Sequence, residues 1–161
     1  MTHPIIAALR HDGRDEEALA LGLELLRAAP DDTALHFDVA CLSDSLGHEA
    51  QAVLHYEAAL AGTLDTAERR DALLGLGSTL RLLGRHTLAQ RVLASAVEAF
   101  PCEPVLKVFH AMALHNVGRS REAVETLLHV VVATSTDREI RAYSRAIELY
   151  AEDVDRIWPS R

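Results

Sequence analysis

The sequence predicts an all-α fold of antiparallel helix pairs stacked on one another and closed by a C-terminal capping helix. Three observations carry that prediction. Apolar residues make up 49% of the chain but aromatics only 4%, and Ala and Leu dominate. Such a composition suits close-packed helices better than sheets, which favour β-branched and aromatic residues. The five prolines (Pro4, Pro30, Pro101, Pro104 and Pro159) sit at the ends of periodic apolar runs and interrupt none, as helices require. Two landmarks also share one period. Gly13, Gly47, Gly84 and Gly118 are separated by 34, 37 and 34 residues, and Ala18, Ala52, Ala89 and Ala123 repeat those separations. A turn residue and a packing residue agreeing on one period is the mark of a repeat array.

With 161 residues, the chain reads as a single domain, 1–161, with repeats at about 3–31, 32–65, 66–102 and 103–135 and a capping helix at 137–158. The first repeat is short. Pro4 opens a brief helix that runs to about His11, Gly13 turns the chain, and Asp15 opens a helix with Ala18, Gly22 and Leu25 on one face. In the second, Leu35, Val39, Ala40 and Leu42 point inward from the first helix, and Ala52, Tyr56, Ala59 and Leu60 from the second. The third opens at Asp65, which forms a capping box with Glu68. Gly77 is its point of close helix approach, equivalent to Ala40 and Ala111. The fourth carries Phe109, Ala111, Met112 and Leu114, then Ala123, Leu127, Leu128 and Val131. A second capping box, Thr136 to Glu139, precedes a stripe of Ile140, Tyr143, Ile147, Tyr150, Val154 and Ile157. That stripe is expected to cover the open face of the last repeat.

The motifs Asp44-Ser45-Leu46-Gly47, Tyr56-Glu57-Ala58-Ala59-Leu60, Leu76 through Gly84 and Arg121-Glu122-Ala123-Val124-Glu125 carry a family resemblance. Over roughly Leu35 to Tyr150 the chain resembles the tetratricopeptide-repeat superfamily, and within it the short bacterial proteins grouped as family 5. The resemblance implies an α-solenoid, a right-handed superhelix of helix pairs, without catalytic activity. It also implies that partners are held on the concave side lined by first helices.

Helical phase places Phe37, Cys41 and Asp44 on that inner wall in the second repeat. Asp71, Leu74, Ser78 and Arg81 take the matching places in the third, and Val108, Met112, His115 and Asn116 in the fourth. Asp44 and Arg81 share a slot in successive repeats and could pair. The Lys–Asn clamp by which some relatives hold a peptide carboxylate is missing, because Lys107 is the sole lysine and Asn116 the sole asparagine. A partly apolar wall fits an extended or helical apolar segment better.

Residues 1–60 carry three arginines against eleven carboxylates, and the remainder is balanced. This acidity disfavours nucleic acid or an anionic membrane as partner. Cys41 and Cys102 lie far apart and read as free thiols of a reducing compartment. No secretory leader or membrane-spanning run is recognisable, so a cytoplasmic protein is expected. The nine histidines form no HxxxH or zinc spacing. No phosphate loop, GxSxG or Cys–His arrangement is found either, so neither metal nor cofactor nor enzymatic activity is expected. The sequence thus points to a protein-interaction module. The alternative is a scaffold that forms a homodimer through its terminal helices or through an N-terminal edge at Ile5, Ile6 and Leu9.

Overall fold

The computed structural model describes residues 3–157, and Trp158 of the expected capping helix, Pro159 and both chain ends lie outside them. Among the described residues the regular structure is helical, with no strand. In order, the helices are α1 (Pro4–His11), α2 (Asp15–Ala28), α3 (Thr33–Ser45), α4 (Glu49–Ala61) and α5 (Thr66–Leu82), then α6 (His86–Ala99), α7 (Pro104–Asn116), α8 (Ser120–Thr134), α9 (Arg138–Ala142) and α10 (Ser144–Ala151). They fall into two compact units, one ending at Val92 and one beginning at Leu93.

The hairpin turns explain the period. Gly13, Gly47, Gly84 and Gly118 all adopt φ between 71° and 83°, left-handed backbone that a Cβ would penalise. After each, the next amide reaches back five residues: Arg14 to Leu9, His48 to Ser43, Arg85 to Leu80 and Arg119 to Leu114, at 2.8–2.9 Å. These bonds satisfy carbonyls that a helix end leaves open. The paired landmark is a packing residue, since Ala18, Ala52, Ala89 and Ala123 are all buried.

In the first unit, Ile6, Ala18, Leu19, Leu26, Leu35, Val39 and Leu42 form one core cluster. A methyl added at Gly22 would stand 2.6 Å from Val39 Cγ2, so glycine lets α2 lie close on α3. The second cluster joins Ala40, Ala52, Val53, Tyr56, Ala72, Leu76, Leu80 and Ala89. Gly77 is buried as expected, while the approach of Tyr56 onto α5 is at Gly75. Buried Asp38 on α3 accepts a hydrogen bond from the His3 amide at 3.0 Å. It thereby takes up one of the orphan donors that open α1. Of the expected N-terminal apolar edge, Ile6 is buried and Leu9 half-buried, which leaves Ile5 exposed. The Asp65–Glu68 capping box forms, with bonds of 2.8 and 3.2 Å.

In the second unit Ala111, Leu114 and Ala123 make the α7–α8 core, and α10 packs on α8. Two expectations are corrected here. The single helix over 137–158 is two helices, α9 and α10, broken at Tyr143. The break separates the stripe, so that Tyr143, Tyr150 and Ile157 are exposed while Ala151 is buried. The N-cap is Asp137, which accepts from the amides of Glu139 and Ile140 at 2.9 and 3.0 Å, in place of a Thr136–Glu139 box. Leu127 and Val131 on α8 are likewise exposed. No helix among the described residues is long and apolar enough to cross a membrane.

Candidate functional site

First helices α3 and α5 lie side by side in the first unit, and two contacts fix their register. Near their C-terminal ends the Thr79 hydroxyl stands 2.9 Å from Asp44 Oδ1 and 2.8 Å from the Gly75 carbonyl oxygen. A hydroxyl has one proton, so the two acceptors share it. Farther along, Tyr56 of α4 reaches between the two helices. Its hydroxyl donates to Cys41 Sγ at 3.7 Å, and its ring lies 6.4 Å from that of Phe37. On the α5 side the ring abuts Gly75, where an added methyl would come within 2.8 Å of Cε1.

The structure gives Asp44 a partner that the sequence reading did not name, the hydroxyl of Thr79. Burial pushes the Asp44 carboxyl above its ordinary value, against the opposing bond from Thr79. Burial likewise raises the Cys41 thiol, against the opposing hydrogen bond from Tyr56. The Tyr56 phenol is raised far by the same cause and stays a neutral donor.

Phe37 and Cys41 thus pack half-buried against the core at the α3–α5 seam. On α5 itself Leu74, Ser78 and Arg81 are half-buried, and Asp71 is exposed and ion-paired with Arg70 at 2.8 Å. In the second unit Val108 and Met112 are half-buried on α7, and His115 and Asn116 are exposed. His115 Nδ1 bonds Ser120 Oγ at 3.0 Å, which ties the α7 end to the start of α8. That unit also holds a cleft of about 290 Å³ lined by Lys107, His129 and Glu148.

One polar pair escaped the sequence reading. His36 Nδ1 and His55 Nδ1 are 2.9 Å apart, and His36 Nε2 is 2.9 Å from the Pro30 carbonyl. The carbonyl only accepts, so His36 carries its proton on Nε2, and neutral His36 then accepts from His55 Nδ1–H. The pair ties the start of α3 to α4 and to the loop before α3. Burial first, and then the neighbouring His36 imidazole, lower the His55 value below the ordinary 6.5. The unfolded chain therefore binds this proton at higher pH than the folded one. Stability from this pair is full above about 6.5 and declines as pH falls toward the lowered folded value. His110 is lowered as well, chiefly by burial, and adds in the same direction. Urea midpoints between pH 7.5 and 5.5 are expected to fall, and less steeply in His55→Gln; an equal slope in that variant would remove the pair from the account. Among the described residues no three His, Cys, Asp or Glu side chains gather as a metal site.

Comparison with known proteins follows the same geometry. A family model described as Tetratrico peptide repeat matches residues 33–154. Among solved structures, the crystal structure of MamA is similar in fold, with a TM-score of 0.75 at 15% identity. The match covers 94% of this chain and 91% of that one. No curated protein matches the sequence.

Proposed function

Because the chain belongs to the tetratricopeptide repeat family, we propose that it is a non-enzymatic module that holds a peptide or protein segment against the first helices of its hairpins. Tetratricopeptide repeats are generally protein-interaction modules, and the family and this fold are typically non-catalytic scaffolds. The observation that carries the reading is the locking of α3 to α5 by the Thr79–Asp44 bond and the Tyr56 wedge. Two helices held at fixed spacing present a preformed surface, which lowers the ordering cost of binding. Along α5 this surface offers half-exposed Leu74 and Ser78 with exposed Asp71 at one end. That pattern suits an apolar segment, with the Arg70–Asp71 ion pair at its edge. Val108, Met112, His115 and Asn116 on α7 are the corresponding first-helix residues of the second unit, taken as a separate surface.

The test compares capture from cell extract by immobilised wild type, Leu74→Glu and Ser78→Arg, with Leu54→Glu on the exposed face of α4 as control. A partner held by wild type and by the control, and reduced about tenfold or more by either α5 variant, is the expected result. Equal capture by all four proteins would move binding away from α5.

A further inference from the structure

The hairpin turns of the first unit lie along one edge. A single cleft lined by Gly13 to Glu17 and by Leu46 puts the α1–α2 turn beside the α3–α4 turn. The Thr79–Asp44 bond, close to the ends of α5 and α3, puts the α5–α6 turn next in the row. Charge changes sign along this edge. At its first turn stand four carboxylates, Asp12, Asp15, Glu16 and Glu17, against Arg10, His11 and Arg14, with Arg14 taken up by Glu17 at 2.7 Å. The third turn belongs to a stretch, residues 72–97, with three arginines, one histidine and no carboxylate. The ends also differ in apolar character. The acidic end is a cleft of about 370 Å³ with Leu46 in its lining. The basic end exposes Leu82 at 63%, Leu83 at 37% and Leu88 at 43% around exposed Arg85. Clustered exposed leucines beside a charge are the usual composition of an interaction patch.

An edge with an acidic hollow at one end and a basic apolar turn at the other complements itself under a two-fold axis. Each end then meets the opposite end of its mate, and the middle turn at Gly47 and His48 meets its own copy. A partner of single sign, such as an acidic peptide or an anionic bilayer, would match one end and oppose the other. We infer that this turn edge is a self-association surface, with Leu82, Leu83 and Arg85 of one copy seated in the Glu16–Leu46 cleft of the second. The contact uses neither Leu74 nor Ser78, so its failure and that of the partner surface on α5 are read separately.

Sedimentation equilibrium of the full chain at low ionic strength tests the inference, with circular dichroism confirming that each variant folds. Wild type is expected to dimerise with a Kd below about 1 mM. Arg85→Glu and Glu16→Arg should each weaken association about tenfold or more, because two-fold symmetry makes every substitution act twice. The double variant Glu16→Arg/Arg85→Glu restores the pairing with signs exchanged and should return to within about threefold of wild type. Leu82→Ser should weaken association without changing its salt dependence. A wild type that stays monomeric, a dimer indifferent to both charge reversals, or a double variant no better than the singles would each overturn the assignment.

Discussion

Replacing Tyr56 by alanine is expected to destabilise the protein by about 3–5 kcal/mol, the range for removing a large buried aromatic side chain. The ring is 3% exposed and touches α3 and α5, through Cys41 on one side and Gly75 on the other. Its loss opens a cavity at the seam and frees the spacing between α3 and α5 together. Against a typical total of about 5–15 kcal/mol, that is a large share, and a fall in Tm of roughly 10 °C is expected for a chain of this size. Tyr56→Phe keeps the ring and loses only the weak bond to sulfur, so it should cost under about 1 kcal/mol. Urea denaturation of the two variants separates wedge from hydrogen bond. A loss below about 1 kcal/mol in Tyr56→Ala would show that the ring does not set the spacing.

Gly75→Ala attacks the same contact from the other helix. Alanine favours a helix over glycine by up to about 1 kcal/mol, so an unconstrained position would be stabilised. Here the new methyl would meet Tyr56 Oη at 2.5 Å and Cε1 at 2.8 Å, and the buried ring has no free side to swing toward. Overpacking of this kind typically costs about 1–3 kcal/mol, which outweighs the propensity gain and leaves net destabilisation. The sharper readout is the double variant. Once Tyr56 is alanine the clash is gone, so Gly75→Ala should become neutral or stabilising, with a coupling of at least about 1 kcal/mol. Additive effects would mean that the two residues do not touch.

Much of this architecture was legible because it is periodic. Glycines that must take left-handed backbone and alanines that must fit under a neighbouring helix recur with every hairpin, and both signals sit in residue identity itself. The Asp65–Glu68 box was readable for the same reason, being local in sequence. What was not legible depends on rotation about helix axes and on partners one repeat away. Two cross-repeat bonds, His3 to Asp38 and Thr79 to Asp44, each span 35 residues. A threonine in a leucine-rich helix gives no sign that it will face an aspartate there. Phe37 and Cys41 were placed on the correct helix, yet the sequence could not show that Tyr56 would come through from α4 and draw them into the seam. The His36–His55 pair joins two helices of one hairpin at a separation of 19, which no short metal-type spacing would reveal. The break at Tyr143 was hidden because steps of three and four residues continue across it.

Site-directed photo-crosslinking tests the central claim most directly, with a benzophenone residue placed at Leu74 on α5 or at Leu54 on the exposed face of α4. Binding along the first helices predicts that the Leu74 probe captures a partner through one short peptide segment, and that the Leu54 probe captures little of it. Equal yields from both positions, or strong crosslinking from Leu54 alone, would contradict it.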